Sequence, residues 1–135
     1  MDFLLDSHAF VWMVESKHLL SAKVQRLLAD ENNTSVLSFV SIWELQIKIQ
    51  LGKLTLHAAL NEIIDEQQTA NNLRLLSIQP AHIYALKSLP MHHRDPFDRL
   101  LIAQAKVEGM SLLSQDRFIS QYDISVIWKD EPDTL

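Results

Sequence analysis

His93-Arg94-Asp95-Pro96-Phe97-Asp98-Arg99-Leu100-Leu101-Ile102-Ala103-Gln104-Ala105 is the stretch on which the reading of this chain turns. Pro96 suits the first turn of a helix, where its missing N–H costs nothing, so Asp95 falls at the N-cap and Asp98 at the third helical position. Both carboxylates then share one face. Leu100 to Ala103 is an unbroken apolar run, so the helix should be buried on more than one side, with its polar mouth opening into a cleft or solvent. Local physics accounts for these acids without a site, because they resemble a capping box and negative charge is favoured in a first helical turn. They gain a further meaning only if carboxylates from elsewhere reach the same place.

Working outward, Phe3-Leu4-Leu5 is a short apolar run that ends in Asp6-Ser7, and it reads as a buried strand followed by a helix over His8–Val14. Ser21 caps a second helix, to Asp30, with Val24, Leu27 and Leu28 at helical spacing. A second strand is expected over Ser35–Phe39. Ser41 then opens a helix striped by Ile42, Leu45 and Ile49 that ends at Gly52. Glu44 stands three residues after Ser41, as in a capping box, and four before Lys48, as in a helical ion pair. Further helices are expected over His57–Asn71, from Pro80, and from Pro96 to Gly109. Strands are expected over Leu73–Ile78, Ser111–Ser114 and Ser125–Trp128. Asp116, just beyond the third of these helices and its strand, repeats the pattern of Asp6.

Alternating strands and helices with short connections imply an α/β fold: a central, mostly parallel sheet flanked by helices. At 135 residues this is one domain, read as residues 1–129, with a polar, unstructured tail over 130–135 that begins as early as Lys129. In such sheets ligands bind at the carboxyl ends of the strands, where Asp6, Glu44, Asp98 and Asp116 would all fall. Four carboxylates there would repel one another unless protons or cations neutralised them. A divalent ion is the economical explanation, and all-oxygen ligation suits Mg²⁺ or Mn²⁺.

Composition narrows the chemistry further. With no cysteine there is neither a thiolate nucleophile nor a thiolate metal site, and a net charge of -5 argues against coating nucleic acid by bulk electrostatics. A nuclease is not excluded, since bound cations supply local positive charge. The first apolar stretch carries Asp2 and Asp6 and lacks a basic flank, so no signal peptide is expected; no window approaches a membrane span, and a cytoplasmic protein is expected.

Leu4-Leu5-Asp6-Ser7, Ser41-Ile42-Trp43-Glu44 with Lys48, the segment from Asp95 to Ala105, and Ser114-Gln115-Asp116 together resemble PIN-domain proteins, specifically VapC-like ribonuclease toxins of bacterial type II toxin–antitoxin modules. The resemblance spans nearly the whole chain and implies a PIN-like three-layer domain. It implies an endoribonuclease whose acidic quartet holds one or two Mg²⁺ or Mn²⁺ ions that activate a water against an RNA phosphodiester. Asp6 and Asp98 are then the foremost metal ligands, joined by Asp116, with Glu44 completing the catalytic pocket. Ser7, Ser114 and Asp95 would support it, and Lys48, Arg94, Arg99 and Arg117 could contact RNA, although ordinary pairing is the default for each.

The resemblance also implies a cognate antitoxin and a homodimer. Amphipathic helices over Ala9–Leu28 and Ile42–Ile64, including Trp12 and Trp43, offer apolar surface that could form a groove for an antitoxin's helical tail. His92 and His93 read as plain loop, because adjacent side chains diverge and no third ligand is evident. The alternative is a non-catalytic PIN-fold module that binds RNA or protein, although no acid is missing here. A dehalogenase-like phosphatase would need an Asp where His8 stands, and a response-regulator receiver would need an acid after its third strand.

Overall fold

Phe3, Leu4 and Leu5 are buried, because the strand they form, β1 (Asp2–Leu5), is the middle of a five-stranded sheet. The computed structural model describes residues 1–128. From β1 the chain runs through α1 (Ser7–Glu15), α2 (Ala22–Ala29), β2 (Thr34–Ser38), α3 (Phe39–Gln50), α4 (Leu60–Asn71), β3 (Arg74–Leu76) and α5 (Pro80–Ala85). It continues through α6 (Pro96–Glu108), β4 (Ser111–Leu113) and β5 (Val126–Ile127). The strand order is β3-β2-β1-β4-β5, and every pairing is parallel. The tail expected over residues 130–135, together with Lys129, lies outside the described residues.

A parallel sheet covered on both faces needs apolar side chains at successive positions, which is why the strands read as runs and not as alternations. Phe3, Leu5, Leu37 and Leu113 face one core with Phe10 of α1, Leu45 of α3 and Ile63 of α4. Leu4, Val36 and Leu112 face the other with Leu101, Ile102 and Ala105 of α6. The result is three layers, helix on sheet on helix. Beyond β1 the chain goes first to one side, β2, and later to the other, β4, so the strand order reverses there and opens a crevice at the sheet's carboxyl edge. No helix among the described residues is long and apolar enough to cross a membrane.

Three boundaries depart from the sequence reading by more than one residue. α3 starts at Phe39, capped by Ser38, whose Oγ accepts from the Val40 N–H at 3.0 Å. Ser41 therefore lies inside the helix, its buried Oγ without a partner among the described residues, and Ser41 and Glu44 form no capping box. The choice is tertiary: the Ser38 hydroxyl donates to Gln104 Oε1 of α6. α4 starts at Leu60 instead of His57, since His57 is held by Glu15, which accepts from its backbone N–H at 3.1 Å. β3 is confined to Arg74–Leu76 because its partner β2 ends at Ser38, opposite Leu76.

Gln104 is fully buried and its amide extends the network, with Nε2 3.3 Å from His82 Nδ1, while His82 Nε2 reaches Glu108 Oε2 at 3.1 Å. Gln104→Leu keeps the volume but strands the Ser38 hydroxyl, so unfolding free energy should fall by about 2 kcal/mol. Urea denaturation reads this directly, and an unchanged midpoint would mean that the network is energetically idle.

Candidate metal centre

Four of the acids reach the crevice with one oxygen already held. Asp6 follows β1 and caps α1, its Oδ1 accepting from the Ala9 N–H at 2.7 Å. Asp95 caps α6, its Oδ1 accepting from Phe97 and Asp98 N–H at 2.8 and 3.1 Å. Asp116 follows β4, and its Oδ1 accepts from the Phe118 N–H at 2.7 Å. Glu44, on α3, accepts from the Ser7 hydroxyl through Oε1. Capping and function are thus compatible: the cap fixes the carboxylate's direction and leaves the second oxygen to be aimed elsewhere.

Ligand oxygens of several acids converge. Glu44, Asp95 and Asp98 each offer an oxygen within 4.8 Å of the others. Asp98 belongs also to a second group, in which His93 Nε2 lies 2.9 Å from Asp98 Oδ2 and 3.2 Å from Asp116 Oδ2. Asp98 is the hinge between both sets. Asp6 lies in neither group, yet its charge is felt by Asp98, as that of Asp116 is felt by Asp6. Ser114 hydrogen-bonds Asp6 and also accepts from the Asp116 N–H at 3.1 Å, bracing the two strand ends together.

His93 is the site residue that sequence reasoning set aside. The divergence of the two histidines holds, since the His92 ring packs edge-on against Tyr122 at 5.0 Å while His93 turns to the acids. What a loop reading could not supply was the return of β4 to place Asp116 opposite. A usable signal was present all the same: a histidine two residues before a helix cap can accept the cap's own N–H, as His93 Nδ1 does from Asp95 at 3.3 Å.

Burial, followed by the neighbouring charges of Asp95 and Glu44, pushes the Asp98 carboxyl up to about 7 against the opposing influence of His93. Asp6 is raised too, chiefly by burial, against hydrogen bonds from Ser114 and Ala9. Ionising such carboxyls together calls for a compensating cation. The carboxylate donors suit Mg²⁺ or Mn²⁺, so these residues fit a hard divalent ion.

The PIN-domain family model matches residues 3–125. This chain belongs to the PIN-domain family. Among curated proteins no relative matches. Its fold is similar to that of VapBC2 from Rickettsia felis, in a crystal structure bound to a DNA fragment from their promoter. The TM-score there is 0.71 at 17% identity, covering 95% of this chain and 99% of that one. It is also similar to FitAcB from Neisseria gonorrhoeae, with a TM-score of 0.58 at 17% identity over 92% and 95% of the two chains. A domain of a functionally unknown protein from Methanocaldococcus jannaschii gives 0.58 at 14% identity over 99% and 94%. At these identities the likeness is one of fold.

Around the acids of this PIN domain the cations are unevenly committed. Lys48 Nζ stands 3.9 Å from Glu44 Oε2. Arg99 pairs with no acid among the described residues; its guanidinium donates to Pro90 O at 2.9 Å, Tyr122 Oη at 3.1 Å and Leu89 O at 3.4 Å, fastening the loop before α6. Arg117 lies over the Phe118 ring at 5.4 Å, and Arg94 is exposed beside Asp95. Of the tryptophans singled out for a groove, Trp43 packs edge-on against Phe97 at 4.9 Å beside the acids, and Trp12 meets Trp128 at a tilt, 5.5 Å between ring centroids. An apolar cleft of about 430 Å³ does lie between α3 and α4, lined by Ile42, Ile49, Leu60, Ile64 and Leu75.

Proposed function

We propose that this PIN domain is a divalent-metal-dependent endoribonuclease, the VapC-like toxin of a type II toxin–antitoxin pair. The observation that carries the reading is the meeting at Asp98 of carboxylates from α3, α6 and the turn after β4, with the Asp98 carboxyl pushed up to about 7 by burial and by its acidic neighbours. Asp6, Asp98 and Asp116 would hold Mg²⁺ or Mn²⁺, with Glu44 closing the pocket. Such an ion supplies a lowered pKa for water and offsets charge developing on a phosphodiester. The chain's own contribution is position: the α1 and α6 caps aim Asp6 and Asp95, Ser7 holds Glu44, and Ser114 joins Asp6 to Asp116. Arg94, Arg117 and, by loosening its hold on Glu44, Lys48 would meet RNA phosphates. Arg99, already spent on the loop, would act through that loop.

The antitoxin reading rests on the family resemblance, the fold shared with VapBC2 and FitAcB, and the apolar cleft between α3 and α4, which has the character of a helix-binding groove. The test of the enzyme is cleavage of RNA by the purified protein with Mn²⁺, its arrest by EDTA, and its recovery when the ion is restored. RNA bound but never cut, with or without ion, would favour the non-catalytic module.

A further inference from the structure

His93 has a defined place among the acids, and its two ring nitrogens are not equivalent. Nδ1 faces the Asp95 N–H at 3.3 Å. A backbone N–H can only donate, so Nδ1 must offer its lone pair, and the neutral ring carries its proton on Nε2. That N–H is directed at Asp116 Oδ2, 3.2 Å away, and Asp98 Oδ2 lies 2.9 Å from the same nitrogen. The ring is backed by Phe118, 5.6 Å away between centroids, and its side chain is 16% exposed. A histidine that ligates a metal uses its other ring nitrogen as a donor to an acceptor behind it. His93 has a donor behind it, so its tautomer is the wrong one for a ligand.

We propose that His93 is a positioning residue of this site: locked as the Nε2–H tautomer by the Asp95 backbone, it bridges Asp98 and Asp116 and stays out of the metal's coordination sphere. This inference rests on the metal-dependent nuclease reading and extends it. Asp98 comes from α6 and Asp116 from the turn after β4, and as carboxylates they repel. The shared donor holds them in register. It also engages Oδ2 of Asp116, whose Oδ1 is held by the Phe118 N–H, and each of these oxygens keeps a second lone pair for an ion.

Nitrogen NMR of histidine-labelled protein, with His93→Gln assigning the signal, should find a protonated Nε2 and an unprotonated Nδ1. Mn²⁺ titrated into the wild type should show no imidazole hyperfine coupling by electron-spin-echo spectroscopy. His93→Gln, whose terminal amide can reach the same oxygens, should keep most of the cleavage rate. His93→Asn and His93→Ala, too short to bridge, should lose about tenfold or more in activity or Mn²⁺ affinity with unchanged melting temperatures. The proposal is overturned by an imidazole coupling that His93→Gln removes, by a proton on Nδ1, or by a Gln variant no better than Ala. A wild type that binds no Mn²⁺ would instead overturn the metal site itself, and the nitrogen spectrum would still decide the bridge.

Discussion

Asp98→Asn should lower RNA cleavage by about three orders of magnitude or more, the scale expected when several kcal/mol of transition-state stabilisation is lost at about 1.4 kcal/mol per tenfold. Asp98 is the one acid common to both groups of converging ligand atoms, so its charge cannot be replaced by a neighbour. Asparagine keeps the size of the side chain, and Leu101 and Ile102 of the same helix keep their places in the core. Loss of activity would therefore not be loss of fold. Asp6→Asn should approach the same effect, while Glu44→Gln and Asp116→Asn are impaired. Asp95→Asn should suffer least, because asparagine caps a helix as well as aspartate does. The measurement is initial rates on a labelled RNA with wild type and variants purified in parallel. Equal rates for wild type and Asp98→Asn would assign the cleavage to a contaminant or to another mechanism.

The metal-free protein should lose stability as pH rises from about 4 to about 7, against the trend of proteins held by ion pairs. The Asp98 carboxyl ionises near 3.8 when free and at about 7 in the folded chain. Between those values the native state keeps a proton that the unfolded chain has released, so each rise in pH favours unfolding. Asp6, also raised, acts in the same direction. Each tenfold difference in proton affinity between the folded and unfolded chain is worth about 1.4 kcal/mol, so Asp98 alone contributes on the order of a few kcal/mol. Above about pH 7 the penalty is constant, and there Mg²⁺ or Mn²⁺ should restore stability by binding the native state alone. Below about pH 5 the ion must displace a proton and should do little. Thermal melts across this range, with and without Mn²⁺, test both halves. Asp98→Asn should flatten the slope and blunt the ion's effect, and a variant that retains both would show that Asp98 is not where the charge strain resides.

Much of this could be read from the chain. Phe3-Leu4-Leu5 before Asp6, and Pro96 between Asp95 and the apolar run of α6, were legible because caps and buried runs are set by neighbours within a few residues. Gly109 ends α6 at φ +66°, as a glycine beyond an apolar stripe should. The order of strands and helices followed from the same local signals, as did the side of the sheet on which the acids lie.

What remained was decided across distance. Ser38 and Ser41 are both competent caps, and Ser38 is chosen because Gln104, brought over by α6, accepts its hydroxyl. Arg99 could have paired with an acid, yet it fastens Leu89 and Pro90 because the loop before α6 folds back beneath it. His93 looked like plain loop until β4 set Asp116 against Asp98. Sequence alone determined the α/β class, the helix starts that follow from local caps, and the acids at the carboxyl edge, since these depend on interactions only a few bonds long. Only the tertiary structure determined which polar groups meet, because partners such as Ser38 and Gln104 lie on separate elements and become neighbours only when both faces of the sheet are covered.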